Sequence, residues 1–240
     1  MKLKLVLENI HKNYDGKPVL KDISFSFDFD CIHLLMGPNG SGKSTLLRIC
    51  ALLEDPEEGK VNYFSGNNIV TKDVRLRRRI SLVLPKVGIF NTTVFNNIAY
   101  GLKVRGFQRK DINRRVSEAL EFVGLYHKRN LNALRLSSGE MQRLGIARAI
   151  VIEILFLDEP TASLDPHSTA MIEEIIKEIR KSRGPTIIMV THNIFQAQRL
   201  ADRVLFMYDA KIVDYGTKKE FFENPRDERA YKFITGQMVY

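Results

Sequence analysis

The stretch that decides the fold is Gly37-Pro38-Asn39-Gly40-Ser41-Gly42-Lys43-Ser44-Thr45. From Gly37 to Ser44 it matches the pattern G-x-x-x-x-G-K-[ST], whose glycines let backbone N–H groups turn toward phosphate oxygens. The apolar run Ile32–Met36 before it predicts a buried strand, and a helix is predicted from Ser44 to Leu53. The sequence therefore predicts a loop that binds the phosphates of a nucleoside triphosphate. Lys43 would reach the terminal phosphates, and the Ser44 hydroxyl would ligate Mg²⁺.

Two later apolar runs end in polar residues that fit the same chemistry. Ile154-Leu155-Phe156-Leu157 is followed by Asp158-Glu159, and the run Thr186–Val190 is followed by Thr191-His192. Buried strands that alternate with helices predict a parallel sheet covered on both faces, and ligands bind at the carboxyl ends of its strands. We therefore expect Asp158, Glu159 and His192 to share one site with the loop Gly37–Thr45.

The two adjacent acids have distinct expected roles. Asp158 leaves the end of a buried strand, where its carboxylate can hold Mg²⁺ directly or through water. Glu159 can polarise the attacking water as a general base. The alternative is an ordinary surface turn, which the phosphate-binding loop nearby disfavours.

The rest of the chain predicts two additions to the sheet. Leu3, Leu5 and Leu7 alternate with polar residues, as do the residues Ile23 to Phe29, which predicts antiparallel strands joined by a turn at Asp15-Gly16-Lys17-Pro18. Helical spacing from Lys110 to Val123 and from Gly139 to Ile152 predicts a helical insert. We expect one domain over residues 1–240. Its nucleotide-binding core with the β subdomain would occupy 1–84 and 151–240, and its helical subdomain 85–150.

The composition limits the possible partners without choosing among them. The formal net charge is +9, with 37 Lys and Arg against 28 Asp and Glu. Nucleic acid, anionic lipid headgroups or a polyphosphate would all suit this charge, and so would solvated helix faces. No apolar stretch has the length of a membrane span, so we expect other chains to supply any membrane crossing. The two cysteines, Cys31 and Cys50, suit a reducing compartment.

Several further motifs, in a fixed order, carry a family resemblance. Leu136-Ser137-Ser138-Gly139-Glu140, followed by Met141-Gln142-Arg143, resembles the signature motif of the ATP-binding cassette (ABC) family. Asp165 in Ala162-Ser163-Leu164-Asp165 resembles the D-loop, and His192 the switch histidine. Tyr14 matches the aromatic residue that stacks on adenine in that family. The resemblance implies an ATP hydrolase with an α/β, P-loop NTPase (RecA-like) core, an N-terminal antiparallel β subdomain and an α-helical insert.

The resemblance also implies a mechanism that needs two copies of the chain. Ser137 and the Gly139 backbone, at a helix N-terminus, would face the γ-phosphate held by the Gly37–Thr45 loop of a partner subunit. Two ATP molecules would then lie between two chains in a head-to-tail homodimer, which ATP closes and hydrolysis loosens. His192 would contact the γ-phosphate and orient the attacking water together with Glu159. The cofactors implied are ATP and Mg²⁺.

Three positions depart from the family pattern. The glutamine that usually contacts Mg²⁺ and the attacking water falls on Pro85, which offers no side-chain acceptor. Either Lys86 or water takes its place, or metal sensing is weaker here. Ser138 replaces a usual glycine, which is tolerated if its φ is negative. The segment from Ile150 to Asp158 is about two residues shorter than usual, which predicts a tighter connection between helix and strand.

Finer resemblances suggest a role in import. The segment Phe90–Ile98 with Gly101-Leu102 resembles the region that receives the coupling helix of a permease. The run Thr191–Ala197 with Ala201-Asp202-Arg203, and the end of the chain from Glu223, resemble importers of oxyanions such as tungstate or phosphate. The expected partners are integral-membrane permease subunits and, indirectly, a solute-binding protein, with this chain at the cytoplasmic face of the membrane and no nucleic acid bound. The alternative is a non-transport ABC ATPase, such as the iron–sulfur cluster assembly type.

Overall fold

The computed structural model describes residues 2–149 and 153–238. The strands are β1 (Leu3–Tyr14), β2 (Lys17–Ser26), β3 (Ile32–Met36), β4 (Glu58–Ser65), β5 (Asn68–Ile69), β6 (Ile80–Val83), β7 (Ile154–Asp158), β8 (Thr186–Val190), β9 (Arg203–Tyr208) and β10 (Lys211–Thr217). The helices are α1 (Lys43–Cys50), α2 (Val74–Arg77), α3 (Val94–Val104), α4 (Arg109–Phe122), α5 (Ser138–Ala149), α6 (Pro166–Arg183), α7 (Ile194–Leu200), α8 (Lys218–Glu223) and α9 (Glu228–Ile234). Two short 3-10 helices, Tyr126–Lys128 and Ala133–Arg135, precede α5.

The core is a six-stranded sheet in the order β10-β9-β3-β8-β7-β6. Its strands are parallel except for β10, which pairs antiparallel with β9. Every residue of β3, β7 and β8 is buried, because apolar layers cover both faces of the sheet. Alternate residues of β3 show the two layers: Leu34 packs with the cluster formed by α3–α9, and Leu35 packs with α1 and the N-terminal strands. The predicted α/β fold with a parallel sheet is confirmed.

A second, antiparallel sheet in the order β2-β1-β4-β5 lies against α1. Leu3, Leu5 and Leu7 are buried in it, as their alternation predicts. The expected strand through Phe29 is wrong, because β2 ends at Ser26 and the chain turns there to enter β3. Phe29 sits in that turn with 42% of its surface exposed. The turn between β1 and β2 is also shorter than predicted, since β2 begins at Lys17.

The helix after the phosphate loop is shorter than the predicted Ser44–Leu53. It begins at Lys43 and ends at Cys50. The chain leaves the helix because Leu52 adopts a left-handed backbone with φ 57°. The buried Tyr63 hydroxyl donates to the carbonyl of Cys50, which satisfies one of the open acceptors at the helix end.

Three helices, α3, α4 and α5, follow β6 and precede β7, where the helical insert is expected. Helix α4 runs one residue ahead of the predicted Lys110–Val123. Helix α5 begins at Ser138, one residue before the predicted start. The predicted end at Ile152 and the first part of the shortened connection lie outside the described residues. Within residues 2–149 and 153–238, no helix combines the length and apolar character needed to cross a bilayer.

Candidate nucleotide-binding and catalytic site

The loop after β3 owes its shape to glycines with left-handed backbone. Gly37, Gly40 and Gly42 have φ values of 141°, 77° and 97°, which residues with a Cβ rarely adopt. A Cβ on Gly37 would lie 2.0 Å from the carbonyl oxygen of Met207, and a Cβ on Gly42 would lie 2.4 Å from that of Val19. The glycines therefore allow the loop to pack directly on neighbouring backbone, in the kind of turn whose N–H groups can bind phosphate oxygens.

The ammonium group of Lys43 lies inside this loop. Its Nζ donates to the carbonyl oxygens of Gly37 (2.9 Å) and Pro38 (2.6 Å), and Ser41 Oγ is 3.3 Å away. Burial lowers the pKa of Lys43, although Glu159 and Asp158 nearby act in the opposite direction. The neutral carbonyl acceptors are weaker partners than a phosphate oxygen, so a bound triphosphate can replace them with charge-assisted hydrogen bonds.

Ser44 and Asp158 form the adjoining pair. Ser44 Oγ, in the first turn of α1, donates to Asp158 Oδ1 at the end of β7 over 2.9 Å. Burial raises the pKa of Asp158, and the hydrogen bond from Ser44 opposes that shift. A hydroxyl and a carboxylate side by side are oxygen ligands of the kind that Mg²⁺ uses with substrate phosphates and water. The described residues hold no cluster of three or more His, Cys, Asp or Glu side chains that could bind a metal.

Glu159 and His192 face each other across the ends of β7 and β8. Glu159 has a left-handed backbone, φ 44°, and its N–H donates to the carbonyl of Val190 over 3.1 Å. This strained turn directs the carboxylate toward His192, whose Nδ1 lies 3.1 Å from Glu159 Oε1. The structure thus brings together the two residues predicted to act on the attacking water.

A cavity of about 580 Å³ joins the loop to this pair. Its lining combines predicted site residues with residues of α7, of α9 and of the segment after α9: Gly37, Pro38, Asn39, Glu159, His192, Ile194, Phe233, Gly236 and Met238. Sequence reasoning missed the last four. Their segments carry only the resemblance to oxyanion importers, which assigns them no role at the nucleotide, and packing between elements far apart in the chain brings them to the cavity.

Tyr14 lies outside the lining of that cavity. It ends β1, with 39% of its surface exposed. Its hydroxyl donates over 2.5 Å to Oε1 of Glu54, a residue just beyond α1. The Lys12 ammonium lies 5.7 Å from the centre of the Tyr14 ring. The accessible ring can receive a planar base, which is the role that the family resemblance implies.

The signature motif caps helix α5. Ser137 Oγ accepts from the N–H of Glu140 (3.3 Å), and Glu140 Oε2 accepts from the N–H of Ser137 (3.0 Å), a reciprocal capping box. Lys128 pairs with Glu140 at 2.5 Å, and Leu136 is buried beneath the turn. Ser138 is the first helical residue and does not have a positive φ, so the condition for replacing glycine there is met.

The signature and the predicted D-loop meet at Ser168. Asp165 caps α6 by accepting from the N–H (2.9 Å) and the hydroxyl (2.6 Å) of Ser168, and these bonds lower the pKa of Asp165. A Cβ on Gly139 would lie 2.6 Å from Ser168 Oγ, so only glycine fits without displacement. None of Leu136–Glu140 lines the described cavity beside Gly37. Within the described residues of one chain, the signature therefore shares no lining of this cavity with the loop Gly37–Thr45.

Pro85 occupies the edge of the sheet beside Asp158. It follows β6 by two residues, and Val83 pairs with Leu157, the residue before Asp158. The position is exposed, and its side chain offers neither donor nor acceptor. Helix α5 contacts this loop through Gln142, whose Nε2 donates to the carbonyl of Leu84 over 3.4 Å. That contact, which sequence reasoning missed, links helix α5 to the end of β6, the strand beside Asp158.

The chain resembles known proteins over most of its length. The family model described as "ABC transporter" matches residues 20–162. The chain is 38% identical to the phosphate import ATP-binding protein PstB 2 of Natronomonas pharaonis, covering 98% of this chain and 88% of that protein. It is 39% identical to the phosphate import ATP-binding protein PstB of Pyrobaculum aerophilum, covering 98% and 99%. It is 34% identical to a probable anion import ATP-binding protein of Haloferax volcanii, covering 100% and 89%.

A solved structure has the same fold over nearly the full length. It is cbiO1 from Clostridium perfringens, described as part of the ABC transporter complex cbiONQ. The TM-score is 0.83 at 28% sequence identity, and the match covers 99% of this chain and 96% of that one. The chain therefore belongs to the ABC transporter family and is one of its ATP-binding, ATP-hydrolysing members.

Proposed function

We propose that this chain is the ATPase subunit of a membrane importer for an inorganic oxyanion, with phosphate and tungstate as candidate solutes. The observation that carries the ATPase role is the meeting of two side-chain pairs, Ser44–Asp158 and Glu159–His192, around the loop Gly37–Thr45. The relatives named as phosphate or anion import proteins support the direction of transport and the class of solute.

The loop holds the triphosphate of ATP. Its backbone N–H groups and the N-terminus of α1 surround the phosphates with positive potential, and Lys43 contacts the terminal phosphates. Ser44 and Asp158 would hold Mg²⁺, which would neutralise the charge that develops on the phosphate oxygens. Tyr14 stacks on the adenine.

Hydrolysis depends on Glu159 and His192. The Glu159 carboxylate accepts a proton from the water that attacks the γ-phosphate. His192, 3.1 Å from that carboxylate, holds the water and the γ-phosphate in line. Positioning of this kind supplies much of the rate enhancement in phosphoryl transfer.

A second copy of the chain completes the site. Ser137 and Ser138 are exposed at the N-terminus of α5, where they can meet the γ-phosphate bound by a partner subunit. Asp165, which caps α6 beside Gly139, joins the same surface. ATP closes the head-to-tail homodimer, and hydrolysis separates it.

A groove between β6, α3 and α5 is the proposed contact with the permease at the cytoplasmic face of the membrane. It has a volume of about 470 Å³ and an apolar floor that includes Phe90. Four arginines line it: Arg77, Arg78, Arg105 and Arg148. None of them forms an ion pair with another described residue. Burial and the neighbouring Arg78 lower the pKa of Arg105. We therefore expect a permease segment that brings carboxylates to the groove.

The catalytic proposal is tested with Glu159→Gln, which keeps the shape of the side chain and removes the base. We expect ATP to bind, turnover to fall to background, and the variant to accumulate as an ATP-bound dimer in size-exclusion chromatography. Lys219→Gln, on an exposed part of α8, is the control and retains activity. Hydrolysis by Glu159→Gln at the native rate would remove Glu159 from the mechanism.

The transport proposal needs a separate measurement. Co-expression with the cognate permease in vesicles should give ATP-dependent uptake of phosphate or tungstate, and Glu159→Gln should abolish it. Vesicles that hydrolyse ATP without oxyanion uptake would contradict the solute class. Co-purification with a soluble scaffold in place of an integral-membrane pair would favour a non-transport ATPase.

A further inference from the structure

A buried amide lies directly behind the Glu159–His192 pair. Gln196, in the first turn of α7, is only 1% exposed. Its Oε1 accepts from Thr191 Oγ1 over 2.8 Å, and its Nε2 donates to Thr161 Oγ1 over 2.9 Å. Thr191 directly precedes His192 in the chain, and Thr161 follows Glu159 by two residues. One side chain therefore bonds to both segments that carry the proposed catalytic residues.

The orientation of this amide is fixed by a charged neighbour. Its Nε2 also donates to Glu173 Oε1 over 3.2 Å, and Glu173 is buried in α6. Arg199 donates to both oxygens of Glu173, over 2.7 and 2.6 Å, which keeps this residue a carboxylate. Because a carboxylate only accepts hydrogen bonds, the NH₂ end of Gln196 faces Glu173 and the oxygen faces Thr191.

The Thr191 hydroxyl acts as both donor and acceptor in this network. It donates to Gln196 and accepts from the backbone N–H of Asn193 over 3.1 Å. The Asn193 side chain in turn accepts from the N–H of Gln196 over 3.0 Å and caps α7. These three hydrogen bonds tie the loop that holds His192 to the start of α7. A network with its hydrogen bonds made in this way rigidifies the backbone around it.

We propose that Gln196 is a positioning residue for ATP hydrolysis: through Thr191 and Thr161 it sets the spacing between His192 and Glu159. The inference rests on the proposed roles of Glu159 and His192. The ladder between β7 and β8 ends at Asp158 and Val190, where the Glu159 N–H donates to the Val190 carbonyl. Beyond that point, Gln196 bonds to Thr161 on one turn and to Thr191 on the other. A shared partner makes the two turns one unit, and small displacements of catalytic groups cost large factors in rate.

The test uses substitutions that separate shape from hydrogen bonding. Thr191→Val keeps the branched shape and removes the hydroxyl, whereas Thr191→Ser keeps the hydroxyl. We expect Thr191→Val to lower kcat about fivefold to tenfold, the equivalent of one to one and a half hydrogen bonds, with KM for ATP within about twofold. The KM is maintained because Gly37–Thr45, which holds the phosphates, is untouched. Thr191→Ser should stay within about twofold of the native kcat.

A double variant tests whether the effect passes through Gln196. Gln196→Ala should lower kcat about as much as Thr191→Val, and adding Thr191→Val to Gln196→Ala should cost little more. Phe195→Ala is the matched control, since Phe195 is the preceding residue of α7 and is 71% exposed. It should retain native kcat and KM.

Two results would overturn the inference. One is a native kcat in Thr191→Val. The other is equal losses in Thr191→Val and Thr191→Ser that follow the thermal stability of each variant, which would mark a purely structural network. Glu159→Gln in the same assay separates this inference from the proposed function. If Glu159→Gln is inactive and Thr191→Val is fully active, only the positioning role fails. If Glu159→Gln hydrolyses ATP, the catalytic assignment itself fails.

Discussion

Alanine at two glycines of the phosphate-binding loop should have unequal effects. Gly40 and Gly42 both have left-handed backbone, with φ values of 77° and 97°. Their surroundings differ, because an added Cβ meets nothing within 4 Å at Gly40 but lies 2.4 Å from the carbonyl oxygen of Val19 at Gly42. The pair Gly40→Ala and Gly42→Ala therefore separates backbone strain from steric overlap within one loop.

The expected magnitudes follow from these contacts. A left-handed conformation costs an L-residue roughly 1–2 kcal/mol, and Gly40→Ala should lower the free energy of unfolding by about that amount. At Gly42 the backbone must also move away from Val19 and from Leu20 Cδ2, 2.8 Å from the added Cβ. Overpacking of this kind typically costs about 1–3 kcal/mol, so Gly42→Ala should lose about 2–5 kcal/mol in total.

Urea unfolding gives the free energies, and titration with a fluorescent ATP analogue gives the affinities. We expect Gly42→Ala to bind ATP about tenfold more weakly than Gly40→Ala, because α1 begins at the next residue and moves with the loop. Equal losses of stability in the two variants would refute the reasoning. So would native affinity in Gly42→Ala, since the close approach to Val19 would then have no consequence for the phosphate site.

Three further predictions concern the surroundings of the site. Gly139→Ala places a Cβ 2.6 Å from Ser168 Oγ. We expect this variant to have reduced ATPase activity at saturating ATP, and a second substitution, Ser168→Gly, to restore part of it. Full activity of Gly139→Ala would contradict the close packing of these two residues. Burial alone would raise the pKa of Glu173, but hydrogen bonds from Arg199 and Gln196 hold it below its usual value. The contribution of these bonds to the free energy of unfolding is fully present above about pH 4.3, the pKa of Glu173 in the unfolded chain. It is lost as the pH falls through the lower pKa of Glu173 in the folded protein. Arg199→Met should thus lower the melting temperature at pH 7. The difference in melting temperature between the variant and the native protein should shrink as the pH falls. A difference that stays constant with pH would exclude the ion pair as the cause. Pro85→Gln should leave the ATP dissociation constant within twofold and lower the Mg²⁺ concentration for half-maximal hydrolysis; a tenfold loss of affinity would mean that Pro85 contacts the nucleotide.

The errors in the sequence-based elements have a common cause. The alternation from Ile23 predicts a strand through Phe29, but the chain turns after Ser26 because β3 must enter the other sheet. The helix predicted to Leu53 ends at Cys50, where the hydroxyl of Tyr63 from β4 takes the carbonyl. In both places a feature outside the local periodicity decides where the element stops: the sheet that β3 joins, and the left-handed backbone of Leu52 with Tyr63 as partner of the freed carbonyl.

The sequence by itself determined the phosphate-binding loop, the buried strands around it, and the placement of Asp158, Glu159 and His192 at one edge of a sheet. These features depend on local sterics: glycines that permit left-handed backbone, apolar runs of strand length, and polar residues at their ends. Only the tertiary structure decided that Gln196 joins the segments that follow β7 and β8, and that Phe233 and Met238 line the cavity. Those contacts join residues with no shared periodicity, and packing between separate elements brings them together.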